Sequence, residues 1–198
     1  MDGLPQHHGL RRVVLWVALL NLAYFGVEFG VARTIGSVSL FADSIDFLED
    51  ASVNFLILVA LGWTVQSRAR LGMVLALILL IPGLATLWTA WRQFIALQPP
   101  EAFPLSLTGL GALAINLTCA FMLAKFRKHQ GSLTKAAFLS ARNDALANVA
   151  IIIAGIVTAF TLSPWPDLVV GLGIAVMNGN AAWEVWGTAR KEHQNVKA

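Results

Sequence analysis

Six apolar stretches, each long enough to cross a lipid bilayer, make up most of the chain. A transmembrane helix needs about 20 predominantly apolar residues to cross about 30 Å of hydrocarbon. Short breaks containing Pro, Gly, Ser or charged residues separate the stretches, so consecutive helices are expected to be antiparallel neighbours. The pattern predicts an all-α membrane protein, a single domain over residues 1–198 with six transmembrane helices. The predicted spans are residues 13–32, 37–64, 71–94, 104–126, 136–162 and 166–188.

The composition excludes a soluble domain. Hydrophobic residues make up 57% of the chain and charged residues 13%, whereas soluble domains average about 45–50% and about 25%. The single cysteine, Cys119, excludes a disulfide framework. The first apolar stretch is too long for a cleaved signal peptide and carries Glu28, so we expect it to remain as a membrane helix. Neither a resident cofactor nor a nucleic-acid partner is expected.

The Lys and Arg residues are distributed unequally between the two sides of the predicted membrane domain. Eleven of the fourteen lie near the termini or around the breaks that follow the second and fourth stretches. Arg33 and Arg92 lie on the other side, and Arg142 falls inside the fifth stretch. Because cytoplasmic loops collect Lys and Arg, both termini are predicted to be cytoplasmic.

Four carboxylates interrupt the second apolar stretch: Asp43, Asp46, Glu49 and Asp50. A charged side chain at the centre of a membrane helix costs about 2.5–3.5 kcal/mol on insertion scales, which makes such residues functional candidates. Residues three and four positions apart lie on one helix face. The three aspartates therefore form a polar stripe, with Ser39 and Asn54 at its ends and Glu49 beside it.

The fifth stretch repeats this pattern with Ser140, Asp144 and Asn148, and Asn143 lies next to the stripe. At 1.5 Å per residue, Asp50 is expected about 20 Å from the inner edge of the membrane, Asp144 about 12 Å and Asn148 about 18 Å. The two polar faces are therefore expected to meet near the middle of the membrane.

Opposed carboxylates and amides form an oxygen-rich cage in which negative charges repel each other. A divalent cation relieves that repulsion, and protons compete for the same oxygens. The alternative is that these side chains only join helices by hydrogen bonds. That alternative applies most to Asn21 and Asn54. Asp43 lies close to the outer mouth and is expected to be either a helix-packing residue or an entry residue. Glu28 is expected either to be a structural partner, for example of Arg142, or to have a proton-linked role.

The stretch from Gly36 to Asp50 resembles the second helix of the cation diffusion facilitator family of metal exporters. That helix typically reads S-x-A-L-x-A-D-x-x-[HD]-x-x-x-D, and Asp46 and Asp50 fall on its two ligand positions. Asp144 falls on the second ligand position of the family's fifth-helix pattern, [HD]-x-x-x-D. The resemblance extends to Asn21 and Glu28, to the final stretch from Pro166, and so to nearly the whole chain.

Two departures from the family pattern bear on the metal. Ser140 stands where the family has His or Asp, so Asn143, Asn148 or water is expected to complete the ligand shell. An oxygen-only shell tolerates harder ions such as Mn²⁺ as well as Zn²⁺. The chain ends at Ala198, whereas most relatives continue into a cytoplasmic metal-binding domain. A short form without that domain is expected, with a homodimer formed through the membrane helices.

The resemblance implies a secondary transporter in a bacterial inner membrane. It would export a divalent cation as its substrate, Zn²⁺ first and otherwise Cd²⁺, Co²⁺, Fe²⁺ or Mn²⁺, in exchange for protons. The implied metal ligands are Asp46, Asp50 and Asp144, with Asn148, Ser140 and Asn143 as weaker contributors.

Two rival interpretations stay open from the sequence. The spacing of Asp43, Asp46 and Asp50 is similar to the magnesium-binding motif of membrane prenyltransferases. Those enzymes need a second Asp-rich motif and basic residues for a diphosphate, and the partner stretch offers only Asp144 and Arg142. A structural membrane subunit is the other alternative, but it leaves the matched carboxylates without a role.

Overall fold

The computed structural model describes the backbone of residues 4–60, 84–124, 132–177 and 180. Side chains are described over the same ranges except at 4–8, 57, 60 and 132–142. Within these ranges the chain is helical and contains no strand. The helices are α1 (Leu4–Ile35), α2 (Val38–Ala60), α3 (84–96), α4 (Ala102–Ala124), α5 (Ser132–Thr161) and α6 (Trp165–Met177).

The predicted spans and the helices differ mainly at polar ends. Helix α4 begins and ends within two residues of its predicted span. Helix α1 starts at Leu4 and not at residue 13, and α5 starts at Ser132 and not at residue 136. Backbone hydrogen bonding continues into polar sequence, whereas hydropathy marks only the apolar part of a helix. Most of the predicted third span and the last parts of the second and sixth lie outside the described residues.

Among the described helices, three have both the length and the apolar character to cross a membrane: Gly9–Ile35, Ala102–Ala124 and Asn143–Thr161. Helix α2 has 23 residues, which is enough to span, but it carries four carboxylates. Their presence lowers its hydropathy without shortening it. The prediction of an all-α membrane protein is confirmed at this level, while six spans and the sidedness of the termini stay predictions.

A tight turn joins α1 to α2. Gly36 has a φ of +70°, a left-handed conformation that glycine adopts without steric cost. Ser37 then caps α2, because its Oγ accepts a hydrogen bond from the backbone N–H of Leu40 at 3.1 Å. The turn is short enough to bring α1 and α2 back against each other, and the two helices pack extensively.

Asp167, near the start of α6, anchors this turn. Its carboxylate accepts hydrogen bonds from the Ser37 hydroxyl at 2.7 Å and from the Val38 backbone N–H at 2.7 Å. It also accepts from the backbone and hydroxyl of Ser39, and from Nε2 of Gln93 on α3 at 3.1 Å. A negative charge at the N-terminus of α2 complements the helix dipole. One buried carboxylate therefore ties α2, α3 and α6 together.

Helix α2 lies among α1, α4 and α5, and α4 packs along both α1 and α5. The largest core cluster draws on α1, α2, α4, α5 and α6 (Ala32, Leu40, Phe41, Ala42, Ile45, Leu105, Ile151, Ile174). Large apolar side chains point outward instead, such as Phe160 with 85% of its surface exposed. An apolar outer surface over helices whose backbone groups bond internally suits a protein surrounded by lipid.

Glycine permits the close approach of α6 to the start of α2. A Cβ at Gly171 would lie 2.7 Å from the backbone N of Ser39 and 2.7 Å from the backbone C of Val38. At Gly173, two residues further along α6, a Cβ would meet nothing within 4 Å.

Gly171→Ala is therefore expected to destabilise the protein by about 1–3 kcal/mol, since neither backbone can yield without separating the helices. Gly173→Ala is the matched control and should be neutral or slightly stabilising, because alanine is the better helix former. Thermal unfolding of the purified variants in detergent measures the difference. Equal melting temperatures would contradict the close packing of α2 and α6.

Candidate metal-binding site

The carboxylates of α2 differ in their exposure along the helix. Asp43 is fully buried, whereas Asp46, Glu49 and Asp50 are partly buried. The first lies where α2 is packed on all sides, and the others lie further along, toward the end at Ala60. The polar stripe therefore runs from the closed core to a part of the helix with accessible surface.

Two interactions define the register between α2 and α5. Nδ2 of Asn148 donates a hydrogen bond to Oδ2 of Asp43 at 2.5 Å. About one turn along, the carboxyl of Asp46 lies within electrostatic range of that of Asp144. The helices run antiparallel, so a step toward Ala60 on α2 matches a step toward Ser132 on α5. Continuing this register brings backbone position 140 of α5 level with Asp50.

This pairing of α2 with α5 differs from the pairing that the depths estimated from the sequence predict. Equal rise along both helices predicts Asp50 and Asn148 at nearly the same depth. Asn148 instead pairs with Asp43, seven residues before Asp50, which is about 10 Å along the helix axis. The relative height of two packed helices is set by their side-chain contacts, and not by the residue at which each apolar stretch begins.

Helix α4 borders the same region through Cys119. The fully buried thiol lies within electrostatic range of the carboxyls of both Asp50 and Asp144, so both aspartates lie toward this side of α4. Among the described side chains, however, no three His, Cys, Asp or Glu residues are close enough together to hold a metal ion. The predicted ligands thus share an electrostatic neighbourhood, but they are not drawn into one closed coordination shell.

A buried network of polar side chains crosses the bundle beside this region. Nδ2 of Asn116 on α4 donates to Oδ1 of Asn148 at 2.9 Å, and Asn148 in turn donates to Asp43. The Asp43 carboxyl contacts that of Glu28 on α1. All four side chains are 98% buried or more. This network therefore joins α4, α5, α2 and α1 through polar contacts in the interior.

Glu28 lies at the end of that polar network. Neither of its carboxyl oxygens has an N–H or O–H donor among the described residues. Its neighbours include Tyr24, whose hydroxyl donates to the backbone carbonyl of Thr108 at 2.6 Å. Two carboxyl groups in contact repel when both are charged, and a shared proton or a bound cation relieves that repulsion.

The remaining predicted residues occupy different surroundings. Asn143 is exposed, and the side chains of Ser140 and Arg142 lie outside the described ones. Asn54 donates to the backbone carbonyl of Asp50 on its own helix at 2.7 Å. Asn21 accepts a weak hydrogen bond from the Cys119 thiol at 3.8 Å. Both asparagines therefore make contacts within or between helices, as the structural alternative expects.

Sequence reasoning missed Asn116 and gave no role to Gln93. Both are buried amides in apolar stretches, with exposed fractions of 2% and 6%. The signal available was their position, because an amide inside a membrane span usually faces another helix. Its partner was not readable from the sequence, since α4 and α5 are aligned only by packing.

The fold and this region define a class: an all-helical multi-pass membrane protein with a row of carboxylates inside its bundle. The chain belongs to the cation efflux family, whose transmembrane domain matches residues 14–189. It is also similar to the zinc transporter ZitB of Pectobacterium atrosepticum, with 26% identity over 182 residues. The match covers 83% of this chain and 57% of that relative, so the chain spans little more than half the relative's length.

Family membership confirms the predicted transporter class and excludes the prenyltransferase alternative. Residues 14–189 thus form the transmembrane domain of a cation efflux family and not that of an enzyme family. The bacterial relative also agrees with the location expected from the sequence, a bacterial inner membrane.

Asn116→Leu is expected to destabilise the bundle by about 1–3 kcal/mol, because it leaves Oδ1 of the buried Asn148 without its donor. Thr118→Val on the same helix is the control, since that hydroxyl is exposed and bonds only to the backbone of its own helix. Thermal unfolding in detergent compares the two. If both variants have the same melting temperature, the polar network between the helices does not stabilise the protein.

Proposed function

We propose that this protein exports a divalent metal ion, Zn²⁺ in the first instance, from the cytoplasm in exchange for protons. The observation that supports it most is the matched register of the polar faces of α2 and α5 in a chain of the cation efflux family. The name of the similar bacterial protein favours zinc among the candidate metals.

The proposed ligands are Asp46, Asp50 and Asp144, with Ser140, Asn143 and Asn148 as weaker contributors. Asp46 lies within electrostatic range of Asp144, and Cys119 within range of both Asp50 and Asp144, which supports a common site for the three carboxylates. The bonds that Asn148 already makes to Asp43 and Asn116 favour a supporting role for that residue. Closing the shell around a cation then requires α2 and α5 to move closer.

Proton exchange follows from the same residues. Carboxylates bind a divalent cation only when they are deprotonated, so metal binding releases protons and protonation releases metal. The absence of His from the predicted ligands leaves oxygen atoms to carry both tasks. Alternating access would come from the helix pair that bears the site moving against the other helices, as in other secondary transporters.

The proposed arrangement in the membrane is a single domain of six spans with both termini in the cytoplasm, acting as a homodimer. The unequal distribution of Lys and Arg supports the orientation. The 32-residue α1 begins in polar sequence, so its first turns would extend into the cytoplasm.

Asp50→Ala is expected to reduce proton-driven metal uptake by about tenfold or more, since losing even an outer-shell partner of a metal ligand costs about 10–100-fold. Proteoliposomes with an imposed pH gradient measure uptake of Zn²⁺, Cd²⁺, Co²⁺ and Mn²⁺. Glu101→Gln is the control, because this exposed carboxylate precedes α4 and lies outside the proposed site. Well-folded wild-type protein that moves none of these metals would refute the proposal.

Ser140→His is expected to shift selectivity toward Zn²⁺ over Mn²⁺ by about tenfold, because an imidazole nitrogen is a stronger ligand for zinc than for the harder ion. Thr161→His adds the same side chain at the exposed end of α5 and should leave the ratio unchanged. Uptake of the two metals in competition gives the ratio. An unchanged ratio in the Ser140 variant would place residue 140 outside the shell.

A further inference from the structure

A cavity of about 360 Å³ lies between the end of α1, the start of α2 and the end of α3, and none of the proposed metal ligands lines it. This volume is at the lower end of the range for small-molecule sites, about 300–1,000 Å³. The described residues around it include two arginines and no acidic residue. Its polar lining consists of Arg33, Thr89, Arg92, Gln93 and Gln98.

The charge of this cavity favours an anion. Arg33 lies in the last turn of α1 and Arg92 near the end of α3, and both side chains are exposed. A helix C-terminus carries about half a negative charge, so two such ends offset only part of two full positive charges. Within the described part of the chain, neither guanidinium has an ion-pair partner. Arginine binds a phosphate or a carboxylate through two parallel N–H···O bonds, so either anion fits the two guanidinium groups.

Gln93 adds a second, independent observation. It lines the cavity and is 94% buried, since only 6% of its surface is exposed. Its Nε2 donates to the Gly36 carbonyl and to Asp167, but its Oε1 has no donor among the described residues. A buried acceptor without a donor is costly. A ligand that places an N–H or O–H group beside its phosphate would satisfy it.

The surroundings of the cavity are those of a lipid headgroup. Trp88, in its lining, is 64% exposed, and an aromatic cluster of Trp91, Phe94 and Trp165 lies on α3 and α6 nearby. Tryptophan is enriched at the membrane–water interface, at the level of headgroups. An apolar groove of about 310 Å³ between α3 and α6, lined by Leu87 and Leu172 among others, offers room for an acyl chain.

We propose that this cavity binds the headgroup of a membrane phospholipid whose phosphodiester carries a hydrogen-bond donor, as phosphatidylethanolamine and phosphatidylglycerol do. Arg33 and Arg92 bind the phosphate, and Oε1 of Gln93 accepts from the ammonium or hydroxyl group. The lipid lies in the leaflet opposite the N-terminal end of α1, where it links α1 and α3 independently of metal transport.

Native mass spectrometry of the purified protein tests this with palmitoyl-oleoyl phosphatidylethanolamine, phosphatidylglycerol and phosphatidylcholine. Wild-type protein is expected to retain the first two better than phosphatidylcholine, whose headgroup has no N–H or O–H donor. Arg33→Gln with Arg92→Gln should lower their retention by about tenfold or more, the loss expected for charge-assisted bonds to phosphate. Arg11→Gln with Arg12→Gln removes the same charge at the other end of α1 and should change retention less than about twofold.

The double lysine variant, Arg33→Lys with Arg92→Lys, keeps both positive charges and tests the proposal even if the glutamine variant misfolds. It should retain lipid at an intermediate level, because lysine binds phosphate as a point charge without the paired bonds. Equal retention in all variants overturns the proposal. Displacement of the lipid by inorganic phosphate or glycerophosphoethanolamine at equal concentration also overturns it, since the site would then be one for a soluble anion. If a dimer covers this face and dissociates in the glutamine variant, the cavity belongs to a second copy of the chain, and the lipid proposal is overturned.

Discussion

The burial of α2 is the constraint on which the rest of the structure depends. Four carboxylates in 23 residues make this helix too polar to face lipid, where each charge costs about 2.5–3.5 kcal/mol at the membrane centre. It therefore lies among α1, α4 and α5, which expose more large apolar side chains than α2 does. The position of the candidate site follows from the same requirement, since the carboxylates are kept inside the bundle.

Polar contacts hold α2 at two levels. At its start, Asp167 binds Ser37, Val38 and Ser39 and draws α3 and α6 to the same point. Toward the middle, Asp43 is joined to Asn148 and through it to α4. Beyond that point Asp46, Glu49 and Asp50 retain accessible surface. The candidate ligands therefore lie on the part of α2 where an ion could reach them.

The sequence predicted the elements better than it predicted their contacts. Apolar runs located α4 to within two residues, and the three- and four-residue steps identified the polar faces of α2 and α5. These signals are local, because hydropathy and helical period depend only on neighbouring residues. The ends of α1 and α5 were less predictable, since polar residues continue a helix once it has begun. The pairing of Asn148 with Asp43 also escaped prediction, because it depends on how two helices slide past each other.

The sequence by itself determined that the chain is a membrane protein of helices, that α2 and α5 carry its buried polar faces, and which carboxylates are candidate ligands. Tertiary structure alone decided the register of those faces, the joining of Asn116 to Asn148, and the contact between Glu28 and Asp43. It also decided that Gln93 and Asp167 would meet across 74 residues of chain. The reason is physical, because the neighbouring residues in the sequence are enough to determine a side chain's type and the helix face on which it lies. Its partner is set by close approaches such as that at Gly171, which depend on the packing of the whole bundle.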